Sequence, residues 1–196
     1  MKKAEIYLAL LALLAIIFKL ALIPGAGILT VLSLSILGMM YYFLGFAFFN
    51  GIKLREIFKR SSYKNITAAK IIGAVLAGWV LSMTLIGIMF RLQFYPGGHN
   101  MLFFGLLGMM GVIVVSIIAR LIAGESRIFP RILKRIAVVA AVSALLYITP
   151  TDTLLDIQHR NNPEYRDAMK NAMANPDNDE YQQKLEEERE KLYNGR

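Results

Sequence analysis

Long apolar runs fill most of the first 150 positions of this chain, and they restrict its fold more than any other feature. They are too long for β-strands or ordinary core helices, whereas a helix of about 20 apolar residues spans the roughly 30 Å hydrocarbon layer of a bilayer. Four such spans are predicted, at about residues 4–23, 28–49, 66–90 and 101–119. The sequence therefore predicts an all-α, polytopic membrane protein in contact with the lipid bilayer.

A fifth apolar stretch, at positions 136–148, is clearly shorter than these four. That length by itself favours a re-entrant or interfacial element. If Ile132 and Leu133 are counted, and if Lys134 and Arg135 extend to the headgroups, a segment at about 132–149 is just long enough to cross. The sequence leaves both interpretations open, and the second gives a fifth transmembrane helix.

Charge is divided unevenly along the chain, and the division predicts topology. Residues 1–150 carry a net charge of +12 and residues 151–196 a net charge of −4. The cations cluster at residues 2–3, 52–64 and 120–135, so the positive-inside rule predicts a cytoplasmic N-terminus in a bacterial cytoplasmic membrane. The acidic tail is non-cytoplasmic if the fifth segment crosses. Because the cations flank membrane segments, nucleic acid is not a predicted partner.

Two short stretches, FKLALIPG at residues 18–25 and FRLQFYPG at residues 90–97, repeat the same order of residue types 72 positions apart. Proline removes a backbone donor and glycine tolerates reversed dihedral angles, so each Pro-Gly pair predicts a chain reversal. The pairs are Pro24-Gly25 and Pro96-Gly97. The two reversals predict two tandem helical hairpins, residues 1–49 and 66–119, which resemble the parallel internal repeats of some transporters.

One cation precedes each proline by five residues, Lys19 in the first repeat and Arg91 in the second. A helix that ends there leaves unpaired carbonyls and a negative dipole end, which a long cationic side chain can bind. Alternatively, both side chains face a crevice between helices and bind an anion or a partner's carboxylate. Together with the two Pro-Gly pairs, these residues are the candidate structural or anion-contact positions.

An apolar span that ends in Phe-Lys/Arg-Leu, then Pro-Gly and a second span, resembles the transmembrane hairpin of the gliding-motility motor protein L family. That family belongs to the motor of the type IX secretion apparatus of Bacteroidetes. The similarity covers about 35 residues of each hairpin and none of the tail, and FRLQFYPGG is the closer copy. In the family, the second helix carries an acidic residue tied to proton-driven motion. Thirteen residues past each proline this chain has Leu37 and Met109, which carry no proton.

No catalytic, cofactor or metal site is predicted, and the chain is not expected to be an enzyme. The absence of cysteine excludes disulfides, thiolate zinc sites and cysteine nucleophiles. Three acids precede residue 151, and none is mid-span: Glu5, Glu56 and Glu125. Their positions argue against a proton or sodium pump, because such pumps place ionisable groups at mid-membrane. Asp152, Asp156 and His159 would share one helix face, which is only a weak metal-like pattern.

Residues 150–196 form a polar tail with two short helical patterns, predicted to be partly ordered. Pro163 suits the first helical position, and Asn175 before a proline ends that helix. Asp177 or Asn178 is placed to cap the next helix. The tail is either a solvated appendage or a docking surface for a partner.

Small residues within the spans suggest close packing of helices, whereas hydroxyl residues suggest the alternative of a polar path through the bundle. Gly73-x-x-x-Ala77 and Ala74-x-x-x-Gly78 permit close contact between helices. Five hydroxyl residues could line a pore: Ser33, Ser35, Ser82, Thr84 and Ser116.

Two functional hypotheses follow. The first is a non-catalytic subunit or scaffold of a bacterial cytoplasmic-membrane complex, assembled with other membrane proteins or with copies of itself. The alternative is a small transporter or channel built on the two-fold hairpin repeat, in which Lys19 and Arg91 attract anions.

Overall fold

The computed structural model describes residues 2–64, 66–123 and 128–194, and within these ranges it is helical without any strand. The predicted all-α class is therefore confirmed for the described part of the chain. Contacts divide the chain into two compact units. The membrane unit comprises Met1–Lys19 and Ile23–Ile148, and the tail unit comprises Leu20–Leu22 and Thr149–Arg196. Glu125 lies outside the described residues.

The described part of the membrane unit contains five long helices and, between the second and the third, two short 3-10 helices (Leu54–Glu56 and Arg60–Tyr63). The long helices are α1 (Lys2–Leu20), α2 (Ala26–Asn50), α3 (Ala68–Leu92), α4 (Gly98–Ala123) and α5 (Ile128–Ile148). Among the described residues, α2, α3 and α4 each contain a stretch long and apolar enough to cross a membrane. A fourth span is counted only if α5 is joined with the next helix, α6 (Thr151–Gln158), as one broken segment. These lengths and compositions fit a multi-pass membrane protein.

Helices α1 and α5 differ in composition from α2, α3 and α4. Helix α1 forms where the first span is predicted, but it ends at Leu20 rather than near residue 23. Lys3, Glu5 and Lys19 interrupt its apolar sequence, so α1 is not among the described helices that are apolar enough to cross a membrane. Helix α5 is continuous from Ile128 to Ile148, and so it is longer than the apolar stretch within it.

The same backbone turn joins α1 to α2 and α3 to α4. The N–H groups of Ile23 and Tyr95 donate to carbonyls five residues earlier, at 3.0 and 2.9 Å. The N–H groups of Ala26 and Gly98 donate to carbonyls three residues earlier, at 3.2 and 3.3 Å. Each bond of the first turn thus recurs 72 positions later, and the sequence repeat is also a repeat of backbone geometry.

Left-handed residues stop both helices before the prolines are reached. Leu22 and Phe94 both have a positive φ angle, and the N–H group after each bonds back across the last helical turn, as in a Schellman motif. Helices α1 and α3 therefore end four residues before their prolines. Gly25 and Gly97 also have a positive φ, and each supplies a second left-handed position that starts the next helix in a new direction.

Glycines bring α2 and α3 into very close contact. A Cβ on Gly78 would lie 2.6 Å from the carbonyl oxygen of Tyr41, and a Cβ on Gly45 would lie 2.8 Å from the Cα of Gly78. Ala74 is also buried at this contact, so the predicted packing role of Ala74 and Gly78 is confirmed. Gly73 has no neighbour within 4 Å of an added Cβ and is not part of the contact.

The second hairpin is closed by small residues, whereas the first is held by longer side chains. In the second hairpin, a Cβ on Gly105 would lie 2.5 Å from Thr84 Oγ1 on the facing helix. In the first hairpin, Thr30 Oγ1 shares its proton between the Ala26 carbonyl of its own helix, at 2.7 Å, and the Ala15 carbonyl of α1, at 3.1 Å, close to the turn. Farther from the turn the link is the long side chain of Tyr41, which leaves space between α1 and its neighbours.

The tail unit contains α6, α7 (Pro163–Ala174) and α8 (Asp179–Asn194). The predicted start of α7 at Pro163 and its end before Asn175 are both confirmed. Asn178 is the residue that caps α8, because its Oδ1 accepts the Glu180 N–H at 3.0 Å. Helices α7 and α8 pack through a small apolar cluster formed by Ala168, Ala172 and Leu185.

Candidate functional site

A cavity of about 710 Å³ lies inside the membrane unit, between α1, α2, α3 and α5. Aliphatic side chains form most of its wall, among them Leu13, Ile16, Leu34, Leu37, Leu85 and Ile88. It opens between α1 and α5, where the lining residues Ile6 and Val138 are 56% and 52% exposed. Its volume lies within the range of about 300–1,000 Å³ typical of small-molecule sites.

One end of the cavity is polar and contains a buried ion pair. Arg135 Nη2 donates to Glu5 Oε2 at 2.6 Å, and Arg135 Nε donates to Glu5 Oε1. Tyr41 Oη donates to Glu5 Oε1 at 2.7 Å. Glu5 is only 5% exposed, so its charge requires these partners. The bidentate pair and the tyrosine together tie α1, α2 and α5 to one another.

Two further cations line the same end of the cavity. Arg131 lies one turn before Arg135 and donates from Nη1 to the Phe49 carbonyl at 3.3 Å. Lys134 is exposed and forms no ion pair with any residue that the structure describes. Because Glu5 neutralises only Arg135, the charged groups that line this end have a net charge of +2 among the residues that the structure describes. The cavity is thus apolar along its length and cationic at its mouth.

Lys19 connects the two repeated turns. Its Nζ donates to Gln93 Oε1 at 2.7 Å, and Gln93 Nε2 donates to the Gly27 carbonyl at 3.2 Å. The end of α1 is therefore bonded to the end of α3, and the end of α3 to the start of α2. Lys19 binds a side-chain amide, not the carbonyls of its own helix end.

Arg91 also reaches a different helix from the one expected. It is 7% exposed, and its Nε donates to the Leu146 carbonyl, in the last turn of α5, at 3.3 Å. The cation thus meets the negative end of the α5 dipole. Neither Lys19 nor Arg91 lines the cavity. Pro24, Gly25, Pro96 and Gly97 lie in the two turns and do not line it either.

The predicted hydroxyl path does not run through this cavity, whose lining includes none of those five side chains. Thr84 Oγ1 donates to the Val80 carbonyl of its own helix at 2.7 Å, and Ser33 Oγ donates to the Thr30 carbonyl at 3.3 Å. Hydroxyls satisfied by their own helix need no polar neighbour across a helix interface.

The weak metal-like pattern of the tail forms ion pairs instead. Asp156 Oδ1 accepts from Lys170 Nζ at 2.7 Å and lies 3.4 Å from Arg166 Nε. Within the described ranges, no group of three or more histidine, aspartate or glutamate side chains is close enough to hold a metal ion.

Sequence reasoning did not find the ion pair or the cavity. Glu5 stands near the start of α1 and Arg135 near the start of α5, 130 positions apart, and no short spacing connects them. The only sequence signal is that an acid in an apolar span needs a compensating cation. That signal does not say which of the chain's 22 lysine and arginine residues supplies it.

No known protein family, curated protein or solved structure matches this chain. The resemblance to the gliding-motility motor protein L family therefore depends on the quoted hairpin residues alone.

Proposed function

We propose that this protein is a non-catalytic, multi-pass subunit or scaffold of a bacterial cytoplasmic-membrane complex. The observation that carries the proposal is the use of its intramembrane charges. Arg135 binds Glu5, Lys19 binds Gln93, and Arg91 binds a carbonyl of α5. Each contact joins two helices, and such contacts suit a structural bundle better than a site of chemistry.

The exposed surfaces of both units provide places for partners. Helix α4 has the most exposed apolar face of the three candidate spans, with Met110 and Val115 more than 60% exposed. In a bilayer this face contacts lipid or another membrane protein. In the tail unit, α8 exposes acidic side chains such as Glu187 to a soluble or peripheral partner.

The distribution of charge supports a cytoplasmic location for the cavity mouth. Arg131, Lys134 and Arg135 lie near the start of α5, at the end of the bundle where Glu5 begins α1. The positive-inside rule places such a cationic end in the cytoplasm. The two repeated turns then face outward, and the tail is non-cytoplasmic if α5 crosses the bilayer.

The absence of cysteine makes this orientation directly testable, since single-cysteine variants have no background labelling. Asn100 is exposed next to the second turn, and Lys59 is exposed in the basic segment. We expect a membrane-impermeant maleimide to label Asn100→Cys in intact spheroplasts and Lys59→Cys only after permeabilisation. The opposite pattern would refute the orientation.

Photocrosslinking in native membranes tests the scaffold proposal. A photoreactive amino acid is placed at Val115 on α4, at Glu187 on α8 and, as a matched control, at the fully buried Leu81. We expect Val115 or Glu187 to yield one dominant heavier species that contains either a second membrane protein or a second copy of this chain. The control should yield none. A monomer at both exposed positions would overturn the proposal.

One observation favours the alternative, a small transporter built on two equivalent hairpins: the same turn is made twice. In that case Lys19→Ala should abolish anion flux in liposomes. Gln93→Ala is the matched control, because it breaks the same contact but keeps the cation. Flux that is unchanged by Lys19→Ala, or lost equally in both variants, would end this alternative.

A further inference from the structure

We propose that the cavity between α1, α2, α3 and α5 is a binding site for an anionic phospholipid of the surrounding bilayer. One acyl chain lies along the aliphatic wall, and the phosphate group binds at Arg131 and Lys134. This inference goes beyond the proposed scaffold role, because it assigns a ligand class to a site that the scaffold role does not require.

The length of the cavity matches one leaflet. Its lining runs from Glu5 to Ile16 on α1 and from Pro130 to Val142 on α5. At about 1.5 Å per residue, these stretches are about 16 Å and about 18 Å long. The hydrocarbon layer is roughly 30 Å thick, so the chains of one leaflet occupy about 15 Å. With the phosphate at Lys134, the lining from Lys134 to Val142 leaves about 12 Å for the acyl chain, which is most of the depth of one leaflet.

The wall and the opening also suit a lipid chain. An unfilled apolar cavity deprives its walls of dispersion contacts, and water finds few polar partners except at the mouth. Ile6 and Val138 flank the opening between α1 and α5, and both are about half exposed, so a lipid can enter from the side. A ligand already dissolved in the bilayer needs no aqueous path to this site.

The charges at the mouth select the headgroup. Arg135 is neutralised by Glu5. Arg131 keeps its charge, because its Nη1 donates only to the neutral Phe49 carbonyl, and Lys134 has no ion pair among the described residues. Both can therefore bind an anion, and arginine and lysine are the usual partners of phosphate oxygens. The orientation predicted by the positive-inside rule places them at the cytoplasmic leaflet, where anionic lipids attract basic residues.

Other occupants fit the cavity less well. A helix of a partner protein would cover the aliphatic wall, but it would neutralise Arg131 and Lys134 only if it carried an acidic side chain at their depth. A free phosphate would satisfy the cations but leave the aliphatic wall uncovered. The combination of apolar length and cationic mouth is that of a lipid site.

The test uses the full chain in phosphatidylcholine vesicles that contain a trace of phosphatidylglycerol with a diazirine on one acyl chain. Irradiation followed by mass spectrometry measures labelling at the cavity, on α1 and α5, relative to the exposed face of α4 near Val115. The same experiment with diazirine-labelled phosphatidylcholine gives the neutral reference. We expect the cavity-to-α4 ratio to be about thirtyfold higher for the anionic probe, since each of the two cations Arg131 and Lys134 contributes about 1 kcal/mol.

Two variants localise the effect, and each has a matched control. Lys134→Gln should reduce the preference for the anionic probe to about fivefold, because Arg131 remains, whereas Lys59→Gln removes the same charge from an exposed loop and should leave the preference unchanged. Ala9→Phe fills the cavity and should protect it from both probes, whereas Ala137→Phe on the exposed side of α5 should not. If Ala9→Phe fails to fold, the exposed Lys134 variant still decides the question.

Three results would overturn the proposal. The first is equal labelling of the cavity by the anionic and neutral probes, which would show no headgroup selection. The second is a cavity that neither probe labels while α4 is labelled, which would show that it is closed or covered by protein. The third is an equal loss of preference in Lys134→Gln and Lys59→Gln, which would show only a general surface charge effect.

Discussion

Replacement of Gly78 by alanine tests the packing that holds the bundle together. The new Cβ would lie 2.6 Å from the backbone oxygen of Tyr41 and 3.0 Å from the Cα of Gly45, whereas ordinary contacts begin near 3.4 Å. The first of these distances requires α2 and α3 to separate by about 0.8 Å, because overpacking is relieved only by movement of the surrounding atoms. Since both close neighbours are backbone atoms, no side-chain rotation can relieve the clash.

The magnitude follows from two opposing effects. A separation of about 0.5–1 Å forfeits about a quarter to a half of the dispersion energy of each contact, and overpacked cores typically lose about 1–3 kcal/mol. Alanine also favours a helix interior over glycine by about 0.5–1 kcal/mol. Gly73→Ala, five residues earlier on the same helix, gains the same helix preference of alanine without any clash, because no atom lies within 4 Å of its new Cβ. The helix preference of alanine therefore cancels when the two variants are compared.

The assay is equilibrium unfolding of the detergent-solubilised chain, followed by far-ultraviolet circular dichroism. We expect Gly78→Ala to be less stable than Gly73→Ala by about 1–3 kcal/mol, with Gly73→Ala equal to or above the parent protein. If the two variants have equal free energies of unfolding, α2 and α3 do not approach as closely as described, and the reasoning fails.

Three further predictions concern charge and backbone. Arg135→Gln should destabilise the protein by about 3–5 kcal/mol because Glu5 stays buried without its cation, and adding Glu5→Gln should recover much of that loss. Additive losses in a double-mutant cycle would contradict the pairing. Gly97→Ala places a side chain at a left-handed position, which should cost about 1 kcal/mol. Gly25→Ala should cost the same in the unfolding assay, and unequal losses would argue against equivalent turns. The hydrogen bond from Arg166 keeps the pKa of the Asp167 carboxyl below its usual value of 3.8, so this contact stabilises the tail above that pH and is lost as pH falls through the lower, folded value. Hydrogen exchange of α7 should show this loss of stability at low pH, and Asp167→Asn should remove the pH dependence.

The sequence by itself determined where the helices lie and how they are joined. The lengths of the apolar runs predicted α2, α3 and α4 close to their observed ends, because a span must match the thickness of the hydrocarbon layer. The 72-residue repeat predicted two reversals, and the structure builds them with the same hydrogen bonds. Pro163 and Asn175 likewise bounded α7, because caps and helix breakers act over only a few residues.

Only the tertiary structure decided which side chains meet across the bundle. Lys19 and Arg91 occupy equivalent positions in the repeat, yet one binds Gln93 and the other a carbonyl of α5. The cavity is likewise invisible in the sequence, because it depends on helix spacing. Glycines let α2 approach α3 and α3 approach α4, while Tyr41 spans a wider gap to Glu5 on α1. Local patterns fix a helix and its turns, but the distance between two helices depends on the facing side chains of both, and that pairing is settled only when the chain packs.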